Sequence, residues 1–172
     1  MIRKTLFALT ATAALATSAF AMSSKDIVDT AAEAGSFETL LAAATAAGLV
    51  DTLKGDGPFT VYAPVNDAFA ALPEGTVDTL LKPENKDQLT NVLLYHVDDR
   101  ELTAEMSPAG SNYFKPVLAS ERLCITKGAD GVMIADGTGE MANVIIANIQ
   151  ADNGVIHVVD KVLLPGTRPA CH

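Results

Sequence analysis

Residues 60–69 read Thr60-Val61-Tyr62-Ala63-Pro64-Val65-Asn66-Asp67-Ala68-Phe69. β-Branched and aromatic side chains crowd the first positions, which suits a packed, pleated strand. Pro64 has no amide hydrogen with which to continue a ladder, so the strand closes there. Asn66 or Asp67 can then accept the free amide hydrogens that open a helix, and Phe69 and Leu72 supply that helix's apolar side before Pro73. Upstream, Gly55-Asp56-Gly57-Pro58 is a strong break. The stretch before it has helical periodicity: Asp26-Ile27-Val28-Asp29 opens a short segment, and Ser36 can cap a second in which Phe37, Leu40, Leu41 and Ala44 share a face, with Gly48 as its stop. Downstream, Val77, Leu80 and Leu81 mark a short helix stopped by Pro83, and Leu89, Val92 and Leu93 form the buried stripe of a longer one over 84–94. From about residue 102 the pattern changes to short β runs at 122–126, 132–135, 144–149, 155–159 and 161–164, separated by Gly- and Asp-containing turns. Helices first and strands afterwards predict an α+β domain rather than alternating βαβ units.

A second stretch carries comparable information: Asn153-Gly154-Val155-Ile156-His157-Val158-Val159-Asp160-Lys161-Val162-Leu163-Leu164-Pro165. Val155, His157 and Val159 alternate with Ile156, Val158 and Asp160, so both faces of this strand are largely apolar and it belongs between two layers. Together with residues 60–69 and with Leu94-Tyr95-His96 at the end of the helical region, it resembles the fasciclin-type domain, a secreted or cell-surface module associated with adhesion. The segments follow that family's order, from Thr-Val-aromatic-Ala-Pro-x-Asn-x-Ala-Phe through Tyr-His to the second signature, and the resemblance covers the chain from Ser24 to Pro165. It implies a wedge-shaped β-sandwich of about seven strands with a helical layer from the N-terminal half. The signature positions are Thr60, Pro64, Asn66, Asp67, Tyr95, His96, Gly154 and His157.

At the start of the chain, Met1-Ile2-Arg3-Lys4 precedes an apolar run over 6–16 and then Ala19-Phe20-Ala21, the pattern of a secretory signal peptide cut after Ala21. The run is shorter than the roughly 20 residues that a membrane-spanning helix needs, so membrane insertion is not expected. The 172 residues therefore divide into a leader at 1–21, a domain at 22–165 and a tail at 166–172. The whole sequence has 12 Lys and Arg against 21 Asp and Glu, a net charge of −9. Arg3 and Lys4 leave with the leader, so 10 basic residues face 21 acidic ones and the charge becomes −11. Such acidity disfavours nucleic acid and anionic membranes as partners. Export to the periplasm or beyond the cell lets the two cysteines, Cys124 and Cys171, form a disulfide. Within Arg122-Leu123-Cys124-Ile125-Thr126 the alternation turns Leu123 and Ile125 inward and Cys124 outward, where a bond to Cys171 would tether the tail. A metal site on Cys171 and His172 lacks the further ligands that zinc requires.

His96 follows an amphipathic helix and is expected to be buried, with Asn66 and Asp67 as hydrogen-bond partners for its ring and a structural role. The family resemblance implies an alternative, because the Tyr-His region is linked there to integrin-mediated attachment, and Tyr95 and His96 match it as an adhesion contact. A second attachment motif of animal members, Asp-Ile, corresponds here to Asn148-Ile149; the acid is missing, and integrin binding is not carried over. Nucleophile-elbow, Walker and His-Glu-x-x-His patterns do not occur, and Asp130, Asp136 and Glu140 lack calcium-loop spacing and read as tight β-turns. The reading is therefore an exported, non-enzymatic module without metal or cofactor. It would mediate cell adhesion or extracellular contacts with a protein or polysaccharide at a cell surface. The alternative is a periplasmic protein that holds a small ligand between the helical layer and the sheet.

Overall fold

The computed structural model describes residues 25–171. The leader and His172 lie outside them. Helices α1 (Ile27–Ala34), α2 (Glu38–Ala47) and α3 (Val50–Leu53) come first. Asp26 caps α1 by accepting the Asp29 amide hydrogen, and Gly48 ends α2 in the left-handed region at φ 75°, a conformation glycine adopts without strain. Strand β1 (Phe59–Pro64) leads into α4 (Asn66–Ala70) and α5 (Thr76–Leu80), then a 3-10 turn over Pro83–Asn85 and α6 (Lys86–Tyr95). The remaining strands are β2 (Val97–Asp98), β3 (Gly110–Phe114), β4 (Leu123–Gly128), β5 (Gly131–Ala135), β6 (Met141–Ala151) and β7 (Gly154–Val159).

Two expected caps are placed differently. Position 37, not Ser36, precedes α2, and it offers no side-chain bond. The Thr39 amide instead donates to Asn66 Oδ1 at 3.2 Å. Asn66 is already the first residue of α4, so its side chain reaches across to the neighbouring helix instead of capping its own.

Seven strands form one mixed sheet in the order β2-β1-β7-β6-β5-β4-β3. The two signature strands lie side by side: β1 and β7 pair in parallel from Phe59 opposite Gly154 to Pro64 opposite Val159. Gly154 is required by that closeness, since a Cβ there would sit 2.0 Å from the Phe59 carbonyl oxygen. The 11-residue β6 joins the halves of the sheet, pairing with β5 through Met141–Asn143 and with β7 from Val144 onward. Its register against β7 shifts between Val144 and Ile146 and again between Ile146 and Ile149, and such bulges bend and twist a strand. The expected sandwich is thus one continuous sheet that turns on itself.

The alternation in β1 and β7 fills two cores. Val61, Ala63, Ile156 and Val158 pack with Ile27, Phe37, Leu40, Leu89 and Leu93 on the helical side. Tyr62 and Val159 pack with Tyr95, Leu123, Ile125, Ile134 and Leu163 on the other. β7 is accordingly buried at all six positions, as its two apolar faces predict.

Residues 161–164 are not a strand, contrary to their apolar composition. Their amides find side chains in place of a ladder: Leu163 N–H donates to His96 Nε2 and Leu164 N–H to Asp136 Oδ2, both at 2.9 Å. Cys124 and Cys171 form the expected disulfide, with Cα atoms 5.4 Å apart. Cys124 lies on the face opposite Leu123 and Ile125 but is only 2% exposed, because the tail covers it. The Arg168 guanidinium lies 3.9 Å above the Tyr113 ring, and the Tyr113 hydroxyl donates to the Pro169 carbonyl. No helix among the described residues is long and apolar enough to cross a membrane.

Candidate functional site

The residues that the sequence singles out fall into two neighbourhoods. The first is built on the end of α6. Tyr95 is fully buried, and its hydroxyl donates to the Arg122 carbonyl at 2.8 Å. His96, 2% exposed, has Nδ1 2.8 Å from the Val92 carbonyl one turn back in its own helix, and Nε2 accepts the Leu163 amide hydrogen. A carbonyl can only accept, so the proton resides on Nδ1 and the ring is neutral. Burial holds its pKa down to about 4 against the weaker opposing pull of the Val92 carbonyl and Asp136. Asn66 and Asp67 are not its partners; Asn66 serves α2 and the Glu38 carboxylate. A contact role for Tyr95 and His96 needs side chains that a partner can reach, and both are enclosed in the interior with their polar atoms satisfied.

The second neighbourhood surrounds His157 in β7. Its Nε2 donates to the Leu102 carbonyl at 2.6 Å, and its Nδ1 accepts the Asn148 amide hydrogen at 3.3 Å, the opposite tautomer from His96. Its ring stacks on Tyr62 with centroids 5.8 Å apart, and burial lowers its pKa as well. Thr60, fully buried, donates to the Arg100 carbonyl and accepts the Leu102 amide hydrogen. The signature threonine and histidine therefore fasten the same segment, which follows β2. Asp98 and Arg100 complete the fastening with a two-point ion pair at 2.8 and 2.7 Å.

Asn148 explains why the acid of the Asp-Ile motif is absent. It adopts φ 59°, a left-handed conformation in which Asn is among the tolerated residues. Its Oδ1 accepts the Ala104 amide hydrogen, and its Nδ2 donates to both Glu105 carboxylate oxygens at 3.0 and 2.9 Å. An aspartate there would set two carboxylates against each other. Ile149, its neighbour, packs against the helical core.

Two residues with equally demanding roles had weak sequence signals. Asp136 does more than hold a tight turn: it is 1% exposed, and its carboxylate accepts from Thr138 N–H, Thr138 Oγ1, Glu140 N–H and Leu164 N–H. Those donors occupy the oxygens that a calcium ion would need. Asn153 joins three segments, donating to the Leu53 and Gly55 carbonyls and accepting from Ile27 N–H. Asp136-Gly137 and Asn153-Gly154 both look like turn dipeptides, which conceals the long-range bonds.

The interior has little free space. The gap between helices and sheet, lined by Ile27, Leu40, Leu93, His96 and Ile156, holds about 30 Å³. The one beneath residues 102–107, beside Tyr62 and His157, holds about 20 Å³. Each is of the size of one water molecule rather than a small-molecule site of some 300 Å³ or more. The largest concavity, about 950 Å³, is an open polar groove along Asp26, Lys54, Asp56, Glu101 and Asp152.

Comparison with known proteins agrees with the geometry. The Fasciclin domain family matches residues 35–165. The Synechocystis protein sll1483 is 49% identical over 83% of this chain and 75% of its own length. A second Synechocystis protein, sll1735, is 42% identical over 82% of this chain and 98% of its own. Among solved structures, a pair of FAS1 domains from the insect cell adhesion molecule fasciclin I aligns at a TM-score of 0.60 and 20% identity, over 76% of this chain and 46% of that one, a likeness of fold.

Proposed function

The chain belongs to the fasciclin family, and on that premise we propose that it is an exported, non-enzymatic module that mediates adhesion or other extracellular contacts through its outer surface. One observation carries the reading: the groups able to do chemistry are consumed by the fold. Both ring nitrogens of His96 and of His157 are engaged with backbone, and the Asp136 carboxylate is saturated by donors. An interior filled to within the volume of a water molecule leaves recognition to exposed side chains. The disulfide fits an oxidising compartment. The partner is a protein or polysaccharide of a cell surface or its surroundings. Integrin is not proposed, since the motif that would ligate its metal has Asn148 in place of the acid.

Deleting the gene and measuring cell aggregation and surface attachment tests this reading, with the purified protein coated on a surface as the complementary assay. Loss of attachment that added protein restores is the expected result. Unchanged attachment together with a small molecule that co-purifies in native mass spectrometry would overturn it in favour of a periplasmic ligand-binding protein.

A further inference from the structure

We propose that the doubly bulged stretch of β6 at Ile145 and Ile146 is the docking surface, and that its partner is a basic segment of another extracellular protein carrying apolar anchor residues. The proposal rests on the surface-recognition reading above and adds to it a location and a chemistry.

Consecutive residues of a regular strand point to opposite faces, so of two adjacent isoleucines one ought to be covered. Here each is 54% exposed, and Ala147 beside them is exposed too. The two register shifts produce this arrangement, leaving Ile145, Ala147 and Asn148 without a register partner in β7. Single exposed apolar residues are ordinary, but an adjacent pair turned outward by backbone irregularity spends burial that the core could have used.

The irregularity is held in place from both sides. On one flank Asn143 directs its N–H and its Nδ2 to the two carboxylate oxygens of Asp160, both at 2.7 Å. On the other, Asn148 sits in its left-handed conformation, bound to Ala104 and Glu105. A surface fixed before binding loses little conformational freedom when a partner arrives.

The rim has one sign of charge. Asp160 and Glu105 are the groups that fasten the flanks. Asp67 shares with Ile145 a shallow groove that also includes Gly35, Ser36, Val65 and Asn66, and Asn66 holds Glu38 at its edge. None of these four carboxylates is in an ion pair among the described residues, and the cation nearest in sequence, Lys161, is engaged with Glu140. An apolar pair inside an acidic rim complements Lys or Arg flanking a hydrophobic side chain. It repels a second copy of this chain, whose net charge is −9.

The test uses the full chain and a fluorescein-labelled 12-residue peptide of alternating leucine and lysine, with an equally charged serine–lysine peptide as comparison. Fluorescence anisotropy should show binding of the leucine–lysine peptide that weakens with salt, and backbone NMR shifts should centre on 143–148, Asp67 and Glu105. The Ile145→Ser/Ile146→Ser double variant alters only exposed side chains; with an unchanged melting temperature it should bind on the order of tenfold more weakly or less. No binding, equal binding of the serine–lysine peptide, shifts centred elsewhere or unchanged affinity in the double variant would each overturn the proposal. So would dimerisation in analytical ultracentrifugation that the double variant abolishes, because the occupant would then be a second copy. Cells that attach equally to the wild type and the double variant would overturn this location while leaving the adhesion reading intact. Peptide binding as expected, on a protein to which no cell attaches, would support the surface and sink the adhesion reading.

Discussion

His96 and His157 belong to different signature segments, yet both are buried, neutral and bonded at each ring nitrogen to backbone. The difference is what each one holds. His96 bonds to its own helix and to the segment after β7, joining the helical layer to the second core deep in the molecule. His157 bonds outward, to the Leu102 carbonyl of the segment after β2 and to the bulge at Asn148. One is an internal strut, whereas the other fixes the backbone beneath an exposed face. A signature residue therefore marks a surface only indirectly, through the backbone it immobilises.

Replacing each histidine by alanine sharpens the contrast. His96→Ala leaves a core cavity and an orphaned Leu163 amide, and it should cost about 4 kcal/mol in chemical denaturation. His157→Ala, nearer the surface and lined partly by a movable segment, should cost about 2 kcal/mol. Equal losses would break the comparison.

Acid should separate the two as well. A histidine whose folded-state pKa lies below its unfolded value near 6.5 stabilises fully above pH 6.5, and the contribution is lost as pH falls toward the folded value. For His96, held down to about 4 by burial, the loss over that window is roughly 3 kcal/mol. Denaturation midpoints measured from pH 7 to pH 4 should fall in the wild type and fall less in His96→Gln. NMR titration should find the His96 ring still neutral at pH 5.5.

Tyr95→Phe removes one buried hydroxyl bond and should cost about 1 kcal/mol with attachment to cells unaltered. The smallest effect belongs to Asn148→Asp. It replaces a donor to Glu105 by a second carboxylate, so the lowered pKa of Glu105 should rise and the melting temperature should drop by a few degrees at neutral pH. Adding Glu105→Gln should restore most of it; a drop that survives the second substitution would assign the cost to the backbone at φ 59° instead.

The fold was legible where side-chain period and chain-breaking residues agree. Thr60 to Pro64 declares a strand and its end, and the two apolar faces of 155–159 declare a position between layers. Residues 161–164 misled because apolar composition reports burial, whereas a strand also needs ladder partners. β2 was missed because two residues are too few to show a period, and β3, Gly110-Ser111-Asn112-Tyr113-Phe114, because it carries turn formers. The partners of His96 were misjudged for a related reason. Asn66 and Asp67 are conspicuous in the sequence, but the groups that meet the ring are the backbone of Val92 and Leu163, which no side-chain pattern advertises. The exposed isoleucines were hidden too, since Val144-Ile145-Ile146 reads as core until the bulges are seen.

The central claim is that the Tyr-His pair holds the fold and that contact is made elsewhere on the surface. Cell attachment to immobilised His96→Gln tests it most directly, scored per folded molecule at a temperature where circular dichroism shows the variant fully native. The account predicts attachment equal to that of the wild type until the variant begins to melt, after which attachment and native signal fall together. Attachment lost while the native signal is intact would contradict it.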